Sequence, residues 1–298
     1  MKIGFIGLGA MGAPIAANLA RGGHPLAVND LRRIDVAGTS WAESPEAAIA
    51  DAELIFTSLP GPADVEAIAA RLHPALQRGA AWFDLTTNSP ACVRRLHPQL
   101  LAQGVQLLDA PVSGGPQGAA SGKLALWVGG DEATYERHLP VLRAMCDQPV
   151  YVGPIGAGSV AKLAHNAASF TVQTALAEIF TLGVKAGVEP LALFKALRQG
   201  ATGRKRTFDR LAEQFLPGKY DPPAFALRLA HKDLGLALDL AREVGVPMQV
   251  AERAMAEFEE AMRRGWGERD SRATMLLQEE RAGVAPRVAA DKLRAALD

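Results

Sequence analysis

The sequence predicts an α/β domain built on a mainly parallel sheet, followed by an all-α domain. Three observations support this prediction. Up to residue 158, short apolar runs alternate with helical stretches of about 10–15 residues, as in βαβ units. A glycine-rich turn separates the first apolar run from the first helical stretch. After Gly158 the pattern is helical throughout, so we place the domains at 1–158 and 159–298, with their junction at Gly153–Gly158.

The individual elements follow from the hydrophobic periodicity in chain order. In the first domain we expect strands at Lys2–Leu8, Leu26–Asp30, Leu54–Leu59, Ala81–Leu85, Gln106–Asp109, Leu124–Val128 and Val150–Val152. The helices of that domain are expected at Met11–Arg21, Ala63–Leu72, Ala91–Gln103 and Glu132–Met145. In the second domain the predicted helices are Ser159–Gly187, Leu191–Gln199, Arg206–Phe215, Leu227–Val244 and Val250–Arg264.

Charge and composition favour a small-molecule partner. The 298 residues include 32 Lys and Arg against 32 Asp and Glu, so the formal net charge is zero. A neutral chain lacks the charge excess typical of proteins that bind nucleic acid or membrane surfaces. We find no signal-peptide pattern, no run near the ~18–20 apolar residues of a spanning helix, and no disulfide or zinc pattern in the two cysteines. We therefore expect a cytoplasmic protein with no metal, nucleic-acid or membrane partner.

The turn Gly7-Leu8-Gly9-Ala10-Met11-Gly12 fits the pattern G-x-G-x-x-G between a predicted strand and a predicted helix. In that context Gly7 makes the tight turn, Gly9 lets a pyrophosphate approach the backbone, and Gly12 permits close packing of helix and strand. The start of the helix presents N–H groups and the positive end of its dipole to the phosphates. The alternative is a glycine-rich turn with no ligand. The strand and helix on either side favour a Rossmann-type dinucleotide-binding domain.

Asp30 indicates which dinucleotide is bound. It ends the second predicted strand, 23 residues after Gly7, near the offset of about 20 residues at which a carboxylate binds the adenosine ribose 2′-hydroxyl. A carboxylate there repels a 2′-phosphate, which favours NAD over NADP. Arg32 and Arg33 follow directly, and arginine is the residue that accepts a 2′-phosphate, so NADP stays open as an alternative.

Two later segments carry candidate chemistry. Asp109–Ala119 follows a predicted strand and includes Ser113 and three glycines, where backbone N–H groups and a hydroxyl can bind an anion. In the helix predicted after Gly158, Lys162 and Asn166 are four residues apart and so share a face. A lysine and an amide are costly to bury on a face rich in Ala, Val and Leu. The residues alone also allow a surface lysine and a buried capping asparagine.

Four motifs together resemble the β-hydroxyacid dehydrogenase family, which includes 3-hydroxyisobutyrate dehydrogenases and tartronate semialdehyde reductases. They occur in the family's order along essentially the whole chain: Gly7–Gly12, Asp109–Gly122, Gly153–Asn166 and Lys232-Asp233-Leu234. The resemblance implies an NAD(P)-dependent oxidoreductase that interconverts a small β-hydroxy acid and its semialdehyde. A glyoxylate or succinic semialdehyde reductase of the same family is an alternative. So is a non-catalytic dinucleotide-binding protein, although that class typically lacks the lysine.

The resemblance also implies roles for single residues. Lys162 would be the catalytic acid/base, and Asn166 a second catalytic residue that binds and orients the substrate. The substrate carboxylate would be held by Ser113, Gly114 and Gly115. The cofactor would contact all six residues of the glycine turn and also Asp30, Leu59, Thr87 and Lys232, the last near the nicotinamide. Leu31 stands where NADP-preferring members carry arginine.

The chemistry sets a requirement on the lysine. A free lysine has a pKa of about 10.4, so a basic Lys162 needs its pKa lowered by partial burial or by positive charge, from Lys232 or the oxidised nicotinamide. The related 6-phosphogluconate dehydrogenases share a Lys-x-x-His-Asn pattern but add an aromatic and basic residues for the substrate phosphate. Here Phe170 and Thr171 follow Asn166, so we expect an unphosphorylated substrate.

Two further expectations concern the helical domain. Arg204-Lys205-Arg206 departs from the family's usual sequence, which favours either a more anionic substrate, such as a dicarboxylate semialdehyde, or a solvated run of charge. The Ser159–Gly187 stretch is very apolar for an exposed helix, and in the family this domain usually mediates assembly. The resemblance therefore implies a homodimer or homotetramer.

Overall fold

The computed structural model describes residues 1–185, 187–200, 209–243 and 248–297. The chain divides into two compact units, Met1–Ala164 and His165–Asp298. The first combines a mainly parallel sheet with helices and the second is helical, which confirms the predicted Rossmann-type α/β domain followed by an all-α domain. The domain boundary that we expect after Gly158 stays a prediction.

The described strands form one nine-stranded sheet. They are β1 Ile3–Ile6, β2 Leu26–Asn29, β3 Ser40–Trp41, β4 Leu54–Thr57, β5 Ala81–Asp84, β6 Gln106–Asp109, β7 Val112–Ser113, β8 Leu124–Gly129 and β9 Cys146–Gly153. The order β3-β2-β1-β4-β5-β6 is entirely parallel. It is the 3-2-1-4-5-6 order of dinucleotide-binding folds. Beyond β6, strand β8 runs antiparallel to β6 and β7 and parallel to β9.

The helices of the first unit cover both faces of this sheet. They are α1 Gly12–Arg21, α2 Pro45–Ile49, α3 Pro62–Leu72, α4 Pro90–Ala102, α5 Gly115–Ser121 and α6 Glu132–Leu142, followed by the start of α7 Ala157–Lys185. Successive side chains of a strand point to opposite faces. Phe56 and Phe83 therefore pack in one core layer, while their neighbours Ile55 and Trp82 pack in the other. Burial on both faces is the reason why these strands are continuous apolar runs.

The parallel strands end in a common register at the carboxyl edge of the sheet. Ile6 of β1 pairs with Thr57 of β4, Thr57 with Asp84 of β5, and Asp84 with Asp109 of β6. The loops that follow these four residues carry most of the site residues predicted in the first unit. Ligands of open α/β sheets bind at this edge, at the point between β1 and β4 where the strand order reverses.

The second unit contains the rest of α7 and the helices α8 Pro190–Gln199, α9 Leu227–Glu243, α10 Gln249–Arg263, α11 Met275–Ala282 and α12 Ala290–Leu297. Its core includes Phe180, Phe194 and Phe215. None of the helices within the described ranges combines the length and apolar character needed to cross a membrane.

The helix predicted at Arg206–Phe215 is wrong in its described part. A short 3₁₀ helix spans Asp209–Ala212 and turns follow it as far as Gly218, while residues 206–208 lie outside the described ranges. Pro217 disfavours helical backbone in the residue before it and cannot donate a helical hydrogen bond. Leu211 and Phe215 are buried four residues apart, so the apolar spacing imitates a helix that the chain does not complete.

Candidate active site

The glycine turn has the shape that a dinucleotide needs. Gly7 has a φ of +95°, and a Cβ on it would overlap the carbonyl oxygen of Ser58, so another residue is excluded twice over. A Cβ on Gly12 would overlap the carbonyl oxygen of Gly7, whereas a Cβ on Gly9 would meet no atom within 4 Å. Among the described residues no side chain caps α1, and its first turn holds no acidic residue. The turn therefore offers space and backbone donors that fit a pyrophosphate.

Asp30 lies next to this turn and is hydrogen-bonded to it. Its Oδ2 accepts from the backbone N–H of Leu8 at 2.6 Å, and its Oδ1 accepts from that of Arg32 at 3.3 Å. Leu31 is fully exposed. The Arg33 guanidinium lies 3.3 Å from Asp35 and 5.9 Å from the centre of the Trp41 ring. Asp30 therefore links the second strand to the turn that would hold the phosphates.

A buried polar network supports the loops after β4 and β5. The Thr57 hydroxyl accepts from Trp82 Nε1 at 2.9 Å and donates to Asp84 Oδ1 at 2.9 Å. Asp84 also accepts from the backbone N–H of Thr86 and from the Asn88 side chain. Burial raises the pKa of the Asp84 carboxyl above its usual value of 3.8. The sequence reasoning missed this network, although a Thr and an Asp at the ends of two apolar strands were a visible signal.

The network also places the two predicted cofactor contacts of these loops. The backbone N–H of Leu59 donates to the Thr86 hydroxyl at 3.0 Å, which ties the loop after β4 to the loop after β5. Leu59 and Thr87 are both partly buried, and Thr87 directly follows the residue that accepts this bond. Both loops lie at the carboxyl edge beside the glycine turn.

The predicted substrate loop begins at β7. Ser113 pairs with Ala125 of β8 and is partly buried, while Gly114 and Gly115 are exposed. Gly114 has a φ of +133°, a conformation that L side chains rarely adopt. Helix α5, which follows, is joined to α1 because the Asn18 side chain donates to the carbonyl oxygen of Ala119 at 2.6 Å. Asn18, missed from the sequence, thus connects the glycine-turn helix to the segment that follows Ser113–Gly115.

Lys162 lies within α7, one turn after a helix start that is fixed to the sheet. Asp109, the last residue of β6, accepts from the backbone N–H groups of Gly156 at 2.7 Å and Ser159 at 2.6 Å. Lys162 is itself partly buried. The first unit therefore brings the glycine turn, Asp30, the loops of Leu59 and Thr87, the substrate loop and the Lys162 turn to the end of the sheet where the parallel strands finish.

In the second unit, Asn166 and Lys232 are joined through Asp233. Asn166 Nδ2 donates to Asp233 Oδ2 at 2.6 Å, and Lys232 Nζ lies 2.9 Å from Asp233 Oδ1. Asn166 is buried in the interior of α7, so the alternative of a capping asparagine is wrong. The charge of Lys232 is thus balanced by a buried carboxylate. Asp233 belongs to the motif noted in the sequence, but its bridging position needed the tertiary structure.

Two other expectations concern the cations Arg204, Lys205 and Arg206 and the absence of a metal site. Arg204, Lys205 and Arg206 lie outside the described residues. Within the ranges that are described, no group of three His, Cys, Asp or Glu side chains is arranged to hold a metal ion.

Comparisons with known proteins match both halves of the chain. A family model described as the NAD binding domain of 6-phosphogluconate dehydrogenase matches residues 2–153. A second, described as NAD-binding of NADP-dependent 3-hydroxyisobutyrate dehydrogenase, matches residues 156–278. The two matches together span nearly all of the chain.

Individual relatives agree with these family models. A 2-(hydroxymethyl)glutarate dehydrogenase of Eubacterium barkeri is 34% identical, with 95% of this chain and 97% of the relative covered. An NAD-dependent L-serine dehydrogenase of Pseudomonas aeruginosa is 33% identical, with 90% and 95% covered. The structure of Mycobacterium tuberculosis 3-hydroxyisobutyrate dehydrogenase with L-serine has a TM-score of 0.83 at 30% identity, covering 93% of this chain and 98% of that one.

Proposed function

The chain belongs to the β-hydroxyacid dehydrogenase family, and from this premise we propose that it interconverts a small β-hydroxy acid and its semialdehyde, with NAD as cofactor and Lys162 as acid/base. It is an NAD(P)-dependent oxidoreductase of the hydroxyacid dehydrogenase class. The observation that carries the proposal is the attachment of the Lys162 turn, through Asp109, to the same sheet edge as the glycine turn and the Ser113 loop.

The names of the relatives define a common substrate core. 3-Hydroxyisobutyrate, L-serine and 2-(hydroxymethyl)glutarate are all 3-hydroxypropanoates with a substituent at carbon 2: a methyl, an amino or a carboxyethyl group. Each has a primary alcohol one carbon away from the carbon that bears the carboxylate. We infer that this chain takes the same core and differs from its relatives in the group it accepts at carbon 2.

Each predicted site residue has a defined task in this reaction. The Ser113 hydroxyl and the backbone N–H groups of Gly114 and Gly115 bind the substrate carboxylate. Lys162 Nζ takes the hydroxyl proton in oxidation and returns it in reduction. Asn166 Nδ2 donates one hydrogen bond to Asp233 Oδ2, and we propose that its Oδ1 accepts from the substrate hydroxyl and orients it.

The residues of the first unit fit the nicotinamide cofactor. The turn Gly7–Gly12 holds its pyrophosphate, Asp30 its adenosine ribose, and Leu59 and Thr87 contact it from the neighbouring loops. Lys232 is the further contact expected near the nicotinamide. When bound, NAD(P)⁺ supplies the hydride acceptor for oxidation of the alcohol.

The substrate class is tested by an NAD(H)-coupled panel. We expect turnover with 3-hydroxyisobutyrate, L-serine or 2-(hydroxymethyl)glutarate, or with the matching semialdehydes, and weaker turnover with glyoxylate and succinic semialdehyde, which lack this core. A clear preference for glyoxylate or succinic semialdehyde would assign the alternative reductase activity. Binding of NADH with no turnover on any compound would assign a non-catalytic role.

The role of the lysine is tested separately by Lys162→Ala. We expect kcat to fall at least about 10²-fold, the usual scale for a general acid/base, with NADH affinity retained because the dinucleotide turn is unchanged. Lys195→Ala is the matched control, since Lys195 is an exposed lysine of α8. Near-wild-type kcat in Lys162→Ala would refute the assignment.

A second candidate substrate is a dicarboxylate. Its support is the 34% identical relative over 95% of this chain, whose named substrate carries a second carboxylate. In the same panel, a kcat/KM for 2-(hydroxymethyl)glutarate above that for 3-hydroxyisobutyrate by at least about tenfold, or 1.4 kcal/mol, would favour it. A kcat/KM for 2-(hydroxymethyl)glutarate equal to or below that for 3-hydroxyisobutyrate would favour substrates that lack a second carboxylate.

Two properties complete the proposal. We propose a homodimer or homotetramer, supported by the apolar character of the Ser159–Gly187 stretch. We also propose a cytoplasmic location, supported by two cysteines that are both free and buried.

A further inference from the structure

The carboxylate of Asp109 joins the end of β6 to the start of α7. Its two oxygens accept from two backbone N–H groups at the helix start: Oδ1 from Gly156, the residue just before α7, at 2.7 Å, and Oδ2 from Ser159, in the first turn of α7, at 2.6 Å. The first N–H groups of a helix have no partner within the helix, and a nearby side chain usually caps them. Here the cap is Asp109, a strand residue that lies 47 positions before Gly156 and 50 positions before Ser159 in sequence.

The helix start packs directly on the strand backbone at this point. A Cβ on Gly129, the β8 partner of Asp109, would lie 2.5 Å from Asp109 Oδ1 and 2.7 Å from the backbone nitrogen of Gly158. A Cβ on Gly158 would overlap the carbonyl oxygens of Asp109 and Trp127. The first turn of α7 therefore packs against the backbone of β6 and β8 with no room for a side chain between them.

The carboxylate is an expensive way to hold a helix. Asp109 is 1% exposed, and burial raises the pKa of its carboxyl to about 6, although the two backbone N–H groups oppose that rise. A serine or asparagine beside the helix would cap it with no buried charge. Costly buried groups of this kind are concentrated where function requires a fixed geometry.

The position of Asp109 in the chain connects the predicted groups. Ser113 is four residues after Asp109, and Lys162 is three residues after Ser159, whose N–H the carboxylate holds. We propose that Asp109 is a positioning residue for the dehydrogenase reaction: by fixing the first turn of α7 to the end of β6, it sets where Lys162 Nζ lies relative to the substrate loop. This inference rests on the proposed role of Lys162. Misplacing a catalytic group by about 1 Å can lower a rate about 10²-fold.

Asp109→Asn tests the proposal, because the amide replaces one accepting oxygen with an NH₂ group and leaves one helix N–H without its acceptor. We expect kcat per NADH-binding site to fall about 10- to 100-fold, while the KM for NAD changes less than about twofold. The second measurement is the double variant with Lys162→Ala. If Asp109 acts through Lys162, then Asp109→Asn lowers the residual kcat of Lys162→Ala less than about twofold.

Asp84→Asn is the matched control, since Asp84 is also a buried carboxylate and lies opposite Asp109 in the backbone register of the adjacent strand. We expect it to raise the KM for NAD, and its effect on kcat to be equal with and without Lys162. If Asp109→Asn does not fold, Gly158→Ala replaces it, because it displaces the same turn with the carboxylate intact.

The outcomes separate the two proposals. If Lys162→Ala is as active as the wild type, the proposed function fails, and this inference with it. If Lys162→Ala is inactive but Asp109→Asn and Gly158→Ala keep wild-type kcat, only the positioning role is overturned. An equal loss of kcat in the presence and absence of Lys162 also overturns it.

Discussion

The Asp30 carboxylate accepts from the backbone N–H groups of Leu8 and Arg32, and we propose that it also binds the adenosine ribose. Asp30→Asn keeps an oxygen for Leu8 but removes the charge that repels a 2′-phosphate. We expect wild-type kcat/KM to favour NAD over NADP by at least about tenfold, and Asp30→Asn to lower that ratio by about tenfold, or 1.4 kcal/mol. Parallel steady-state kinetics with both cofactors measure it. A wild-type preference for NADP would show that Asp30 does not set the cofactor preference.

Leu31 offers an independent test of the same preference. The side chain is fully exposed, so its replacement changes no packing. Leu31→Arg would place a guanidinium beside the ribose position, and we expect it to lower the KM for NADP by a few-fold with the KM for NAD nearly unchanged. Leu31→Ala is the control and should alter neither KM. An unchanged KM for NADP in Leu31→Arg would show that residue 31 does not face the 2′ position.

The Asp109 carboxyl makes a prediction about stability as well as activity. Burial raises its pKa from 3.8 to about 6. Between these values the folded protein binds a proton that the unfolded chain does not, so this group increases the free energy of unfolding as the pH falls. From pH 7 to pH 5 we expect that free energy to rise by about 1 kcal/mol relative to Asp109→Asn, which has no such group.

Denaturant titrations at the two pH values, followed by tryptophan fluorescence, measure this difference. Three of the four tryptophans, Trp41, Trp82 and Trp127, lie in the first unit and report on it. A difference between the two proteins that is constant with pH would mean that Asp109 titrates in the folded state as it does in the unfolded chain.

At the scale of elements, Thr57 couples two strands to the loops that follow them. Thr57→Val keeps the side-chain shape but leaves Trp82 Nε1 and one oxygen of Asp84 without the hydroxyl. We expect a loss of about 2 kcal/mol in the free energy of unfolding, as for buried polar groups left unpaired, and a higher KM for NAD because both loops loosen. Thr57→Ser retains the hydroxyl and should lose less than half as much. Equal losses in the two variants would contradict the network.

The predictability of each element depended on its burial and length. Strands β1, β4 and β5 were predictable because burial on both faces makes them continuous apolar runs. Strand β3, Ser40–Trp41, is too short to show any period. Strand β9 begins at Cys146 rather than Val150, since the exposed residues Asp147 and Gln148 interrupt its apolar pattern.

In the site, too, local features were predictable from the sequence and long-range contacts were not. The glycine turn is local, so its spacing in the sequence is enough to predict it, and its geometry fits the prediction. The links made by Asn18, Asp109 and Asp233 join residues 47 to 101 positions apart. No spacing rule connects such residues, because only the folded chain brings them within hydrogen-bond distance. The sequence motifs therefore contain the groups proposed to react and two of the carboxylates that hold them, Asp109 and Asp233, but not the hydrogen bonds that these carboxylates make.

At the scale of the whole molecule, the proposed assembly makes the last prediction. Val172 of α7 is 41% exposed, with the exposed Ala168 one turn before it, on a helix whose sequence is very apolar. We expect light scattering to give two or four times the 31.5 kDa chain mass, and Val172→Glu to reduce it because a charge would be buried in the contact. Val250→Glu is the matched control, since Val250 of α10 is 59% exposed, and it should keep the wild-type mass. A monomeric wild type would refute the assembly, and an unchanged mass in Val172→Glu would move the contact away from this face of α7.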